Sequence, residues 1–230
     1  ITNRTPVFNW SASTDPDGDS ITYTIDIDRT ACPYAKYCNG TDPINQASIA
    51  NLYYTPASNL DLSPYNWKVK ACDSWICSEW SSIRNFTIIP YVAIDLVHST
   101  TDFGTLSIDE TKNTTANAPG HANGPLLVRN SGNCFVNITV NATNPYSTVS
   151  TNTEYFKFLA AAYSGEPSSF NTSCSQTTWM NISTTQKNSI CGLNFADSSD
   201  EARLDLLITI PPAESTGAKS STVMLTAEMD

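Results

Sequence analysis

The chain has 230 residues and a formal net charge of −10, with only 12 Lys and Arg against 22 Asp and Glu. Binding to a phosphate backbone needs clustered basic residues that displace counterions, so nucleic acid is excluded as a partner. Charged residues are 15% of the chain while Asn, Ser and Thr fill 77 of its positions, so the surface is hydroxyl and amide rather than ionic.

This length allows one large or two ordinary domains, each able to bury a core. No apolar run approaches the ~18 residues that span a bilayer; the stretch Phe86 to Val97 comes nearest but carries Pro90 and Asp95. The chain opens at Ile1 without a charged or apolar leader. The expectation is that a signal segment has been removed or that the chain is a piece of something longer.

In chain order, Phe8 and Trp10 share one face of a short extended segment and Asn9 the other, because side chains alternate along a strand. A turn follows at Asp15-Pro16-Asp17-Gly18-Asp19. Ile21, Tyr23, Ile25 and Ile27 then alternate with Thr22, Thr24, Asp26 and Asp28, which predicts a strand. Tyr65, Trp67, Val69 and Ala71 predict another, and Phe86 and Ile88 oppose Asn85 in a third. Beyond Pro90, faces are shared by Val92, Ile94 and Leu96, by Val136, Ile138 and Val140, by Leu204, Leu206, Ile208 and Ile210, and by Val223, Leu225 and Ala227. Glu154 to Tyr163 suits a helix or a strand; Tyr155, Phe156 and Phe158 favour the strand. Short strands with regular turn signals predict an all-β chain of two tandem Ig-like or fibronectin III-like β-sandwiches, residues 1–90 and 91–230. Nothing flexible lies around Pro90, so the two are expected to form a stiff rod.

Nine Asn-x-Ser/Thr triplets begin at Asn3, Asn9, Asn39, Asn85, Asn113, Asn137, Asn141, Asn171 and Asn181. Where strands can be read, these asparagines face away from the core, and a glycan acceptor must lie on the surface of an exported chain. Occupancy is expected at Asn137 and Asn141, which project from one strand face, and at Asn39, Asn85 and Asn113. The seven cysteines also favour an oxidising compartment. Cys32 and Cys38 bracket a short insertion, Cys72 and Cys77 close a hairpin, and Cys174 and Cys191 enclose the loop that bears Asn181, so these three pairs are the expected disulfides. Cys134 is left over, pointing inward with Val136 and Ile138 as a small hydrophobe.

Sites of chemistry are scarce. Asp15, Asp17 and Asp19 alternate as calcium ligands can, but Gly18 is fourth and Asp26 twelfth, where an EF-type loop wants glycine sixth and glutamate twelfth. A plain turn and a weak calcium site both stay open there; no other cofactor or metal is expected. Cys72-x4-Cys77 lacks two further zinc ligands. His98 falls at a strand end and His121 in a loop, with no Gly-x-Ser-x-Gly elbow, so no catalytic residue is assigned. A glycosidase pair is not distinguishable among the acids. Tyr34, Tyr37, Tyr53 and Tyr54 could stack on a sugar or pack over a sandwich edge.

Residues 5 to 89 resemble a fibronectin type III module. Pro6-Val7-Phe8-Asn9-Trp10 is similar to its B strand with the core tryptophan, Asp15 to Tyr23 to the turn into strand C, and Tyr65-x-Trp67-x-Val69-x-Ala71 with Trp80-Ser81 to strand F and the start of G. Such modules usually lack disulfides, and only five residues precede the B strand, where an A strand belongs. The second half resembles the Asn/Thr-rich Ig-like modules of archaeal and other microbial surface proteins, through Asp102-Phe103-Gly104-Thr105-Leu106, Val128-Arg129-Asn130-Ser131-Gly132-Asn133 and Pro211 to Gly217. The resemblance implies an extracellular, structural role.

The functional expectation is a non-enzymatic subunit of a glycosylated cell-surface assembly, its partners being copies of itself or neighbouring surface modules. A first sandwich without an A strand would expose an edge that another subunit's strand can join. The alternatives are a carbohydrate- or surface-binding adhesion module, and an accessory part of a larger secreted hydrolase.

Overall fold

The computed structural model describes residues 1–40 and 42–230, which form two compact units, Ile1–Pro90 and Tyr91–Asp230. Both are built of strands; the first adds one 3-10 turn at Ala35–Tyr37. The chain is all-β, and each unit is a sandwich.

In the first unit the strands are β1 (Phe8–Asn9), β2 (Thr22–Arg29), β3 (Ile44–Ile49), β4 (Tyr53–Tyr54), β5 (Pro64–Cys72) and β6 (Arg84–Thr87). They pair in the order β3-β2-β5-β6 to make one antiparallel sheet, while β1 and β4 make a second, two-stranded one. Phe8 of β1 reaches across to the other sheet, its ring 5.2 Å from Trp67 and 5.3 Å from Phe86 in edge-on contacts. Offset and edge-on arrangements suit the ring quadrupole. Tyr23, Ile25 and Ile27 are buried at every second position of β2, with Leu62, Tyr65 and Ile88. On β5 only Tyr65 is buried; Trp67, Val69 and Ala71 are half-buried, because the two-residue strands opposite cover one end of that face.

At the start of β5 the Tyr65 hydroxyl accepts a 2.8 Å hydrogen bond from the main-chain N–H of Asp61. This is the tyrosine corner of Ig-like sandwiches, a tie between a strand and the chain entering it. Burial pushes the Tyr65 phenol up to about 12, so it stays protonated.

The second unit contains β7 (Ile94–His98), β8 (Thr111–Asn113), β9 (Leu126–Asn130), β10 (Val136–Ala142), β11 (Phe156–Ala162), β12 (Met180–Asn181), β13 (Lys187–Leu193), β14 (Glu201–Thr209) and β15 (Val223–Met229). One sheet runs β12-β11-β14-β9-β7, with β8 also on β14; the other runs β13-β10-β15. Val140 and Ala142 of one sheet pack with Phe156, Phe158, Leu204 and Leu206 of the other. Every second residue of β10 is buried, as its alternation predicts. Residues 156–162, the ambiguous segment, are a strand.

Two elements differ from expectation. The shared face of Val92, Ile94 and Leu96 is not core: β7 begins at Ile94, a bulge falls between Leu96 and His98, and Val92 and Leu96 are exposed. On β14, Leu204 and Leu206 are buried, but so is Asp205 on the opposite face. Asp205 is sustained there by a 2.7 Å bond from Thr114 Oγ1 and a 2.8 Å ion pair with Arg203. A buried carboxylate persists only when paired in this way.

Candidate functional site: edges, staples and modification points

The segment around Phe8 was expected to expose an edge, and the pairing defines which groups are open. Trp10 donates to the Leu52 carbonyl at 3.1 Å, in register with Phe8↔Tyr54. Main-chain bonds alternate sides along an antiparallel strand, so the N–H and C=O groups of Val7, Asn9 and Ser11 face away from β4. Among the described residues nothing bonds to them there. Residues 1 to 5 do not lie beside β1. Ile1 donates to Thr87 O at 2.8 Å and accepts from Ile89 N at 2.9 Å, while Arg4 exchanges bonds with Leu60. The N-terminal segment thus closes the far end of the other sheet and leaves the β1 edge open.

Three disulfides staple loops: Cys32–Cys38, Cys72–Cys77 and Cys174–Cys191. Cys134 is buried, with its Sγ 3.6 Å from the Tyr91 carbonyl. The Cys72–Cys77 staple carries a feature that residue patterning gave no reason to single out. Asp73 Oδ1 accepts 2.7 Å bonds from both Trp75 N and Ile76 N, which holds its carboxyl below the usual range. The bridge and the turn together fix a hairpin tip whose Trp75 is 88% exposed and Ile76 73% exposed.

The nine asparagines divide by environment. Asn3, Asn9, Asn39, Asn85, Asn113 and Asn171 are exposed, whereas Asn137, Asn141 and Asn181 are half-buried. Thr41, third in the Asn39 triplet, lies outside the described residues. At Asn113 the side-chain oxygen accepts from Thr115 N and Thr115 Oγ1, and at Asn171 from Ser173 N, so each triplet is folded into an Asx turn that leaves its amide nitrogen outward. Asn137 is otherwise. Its Oδ1 accepts from Gly192 N at 2.9 Å and its Nδ2 donates to Asp230 at 3.1 Å. Asn141 Nδ2 donates to Thr184 O, and Asn181 Nδ2 to Asn152 O. Asn137 and Asn141 do lie on the outer, half-buried face of β10, as the alternation predicts, but Gly192 of β13, Asp230 and Thr184 bond to their amides there.

Asp15 Oδ1 accepts from Asp17 N at 2.8 Å and Asp19 N at 3.2 Å, with Gly18 at a φ of 84°. That is turn chemistry, and no cluster of three potential ligands occurs among the described residues. Of the four tyrosines weighed as a sugar platform, Tyr37 belongs to the core and Tyr34 and Tyr54 are half-buried; only Tyr53 is exposed. The ring of His98 lies against Gly120, where the missing Cβ, which would sit 3.0 Å from the ring, lets the two approach.

The second unit also holds a groove of about 920 Å³ between its sheets, lined by Phe103, Leu106, Phe156, Ile208 and Val223. At its rim the Glu214 carboxylate accepts from Thr148 Oγ1 at 2.6 Å, Ser147 Oγ at 3.0 Å and Lys219 Nζ at 2.5 Å. These donors, the lysine first, hold its carboxyl down to about 2.

No family model and no curated protein matches the chain. Among solved structures it is similar to the chaperone–tip adhesion subunit pre-assembly complex of the archaic chaperone-usher Csu pili of Acinetobacter baumannii. That match has 11% identity and a TM-score of 0.36, covering 98% of this chain and 91% of that one. A second similarity, at 15% identity and a TM-score of 0.26, covers all of this chain and 91% of a carbohydrate-binding module of the β-sandwich superfamily. Both scores are too low to bear on function, and the fold assignment rests on this chain's own sheets.

Proposed function

We propose that the chain is a structural subunit of an extracellular, glycosylated surface assembly (a fibre, pilus-like filament or surface layer) whose copies join by strand addition in the first unit. The observation that carries this reading is the open main-chain edge at Val7, Asn9 and Ser11, directly beside the core residue Phe8. An unpaired edge is a template for another chain's strand, and a head-to-tail contact of that kind need not close, so it propagates. The staples and the exposed Asn-x-Ser/Thr triplets support an oxidising, extracellular setting. The reading assigns the chain no catalysis and no cofactor.

Electron microscopy of the assembled material, with two variants at one position, tests it. Asn9→Pro removes an outward N–H without touching the β1–β4 bonds; Asn9→Gln removes the glycan acceptor alone. Filaments should form with Asn9→Gln and fail with Asn9→Pro. Equal filaments from both would sink strand addition, and no ordered assembly from the wild type would sink the subunit reading.

A second reading, an adhesion module, is favoured by the exposed and stapled Trp75. Indole faces anchor interfaces and stack on apolar or sugar surfaces. It requires a chain that stays unassembled and loses surface binding on Trp75→Ala.

A further inference from the structure

The edges of the two units are not equally protected. The outer side of β13 is covered by residues 171 to 176, through Asn171 N to Cys191 O, Gln176 N to Ser189 O and the Cys174–Cys191 bridge. The end of β6 is bonded to Ile1. β3 has an irregular register with β2 and places Ser48 at a φ of 58°, and β7 is bulged. β12 is two residues long. Short, bulged or covered edges are the usual guards against unwanted pairing. β15 has none of them. It is seven residues long, in unbroken register with β10, and contains neither proline nor lysine.

Its open groups follow from that register. Thr143 N donates to Thr222 O and Asp230 N to Phe135 O, so Met224, Thr226 and Glu228 bond toward β10. The N–H and C=O groups of Val223, Leu225, Ala227 and Met229 point the other way. Among the described residues none of them has a partner on that side. Val223 and Leu225 pack on the core yet stay only half-buried, and the groove runs past Val223.

We propose that β15 is a self-association edge: two copies of the chain pair β15 to β15, antiparallel, about a two-fold axis at Thr226. The sequence of the strand argues for a second copy as the occupant. Centring on Thr226 places Val223 opposite Met229 of the second copy and Leu225 opposite Ala227, each such pair exchanging both main-chain bonds. All the outward groups are then used. On the solvent face Thr226 meets Thr226 and Met224 meets Glu228. Threonine pairs are favourable there, and the strand's one charge meets no like charge. The contact is isologous, so it closes on itself. It is independent of addition at β1, because the two use different units, and Asn9→Pro leaves it intact.

The test is made on the full chain. Thr226 is exposed, with a single side-chain bond from Gln186, so it can be changed without disturbing the core. In a non-hydrogen-bonded antiparallel pair the Cα atoms are about 4.5 Å apart, within disulfide reach. Under mild oxidation most Thr226→Cys chains should run as a covalent dimer on a non-reducing gel. Met224→Cys should not, although Met224→Cys mixed with Glu228→Cys should. Sedimentation is read in the Asn9→Pro chain, where addition at β1 is blocked: it should be a dimer, the same chain with Thr226→Lys or with Thr226→Glu a monomer, and the equimolar mixture of those two a dimer again. An Asn9→Pro chain that is monomeric at every concentration overturns the proposal. So does Thr226→Cys cross-linking no better than Met224→Cys, or a Thr226→Lys in the Asn9→Pro chain that remains dimeric.

Discussion

The Tyr65 hydroxyl accepts the Asp61 main-chain N–H at 2.8 Å, in a buried corner. Removing the oxygen leaves a buried N–H without a partner, which costs its full desolvation. Tyr65→Phe should therefore lower unfolding free energy by about 1–3 kcal/mol although ring packing on Phe86 is kept. Denaturant melts of the two proteins measure it, and an unchanged midpoint would show that the corner contributes nothing.

Glu214 links acid stability to the groove rim. Its folded carboxyl is held down to about 2, against about 4.3 when unfolded. The unfolded chain therefore takes up the proton first as pH falls, so this stabilisation is complete above the ordinary carboxylate range. It is lost as pH drops from there toward about 2. Glu214→Gln should lower the melting temperature at pH 7, and the gap from wild type should narrow near pH 2. A gap constant with pH would refute the linkage.

Glycan placement should follow exposure. Glycopeptide mapping of native material is expected to find carbohydrate at Asn9, Asn85, Asn113 and Asn171, and bare asparagine at Asn137, whose amide is bonded at both ends. Substitution reports the same division. Asn137→Ala should cost about 1–3 kcal/mol because the Gly192 N–H loses its acceptor, while Asn85→Ala should stay within about 0.5 kcal/mol. A glycan on Asn137 would contradict this assignment.

The hairpin tip separates function from stability. Trp75 is almost fully exposed, so Trp75→Ala should leave stability within about 0.5 kcal/mol. Opening the staple with Cys72→Ser and Cys77→Ser should cost roughly 2 kcal/mol, the loop-closure value for so short a ring. Thermal melts distinguish the two, and a large loss on Trp75→Ala would mean that the ring packs against something.

What was legible in the chain was whatever depends on neighbours two residues away. Val136, Ile138 and Val140 could be assigned to a core face because β10 is central to its sheet and the face they share is covered along its whole length. The same reasoning failed for Val92 and Leu96, since their alternation is equally regular but both side chains stay exposed. It also missed Asp205, whose burial depends on Thr114, 91 positions away.

The sequence by itself determined an all-β chain, because a period-two pattern of apolar residues can bury its side chains only as strands. Which edges stay open was decided by tertiary pairing alone. Every residue but proline carries the same N–H and C=O, so nothing in the letters of Val223 to Met229 marks them as an edge or those of Lys187 to Leu193 as covered. That distinction arises only when β10 takes both as neighbours and residues 171 to 176 fold back over one of them.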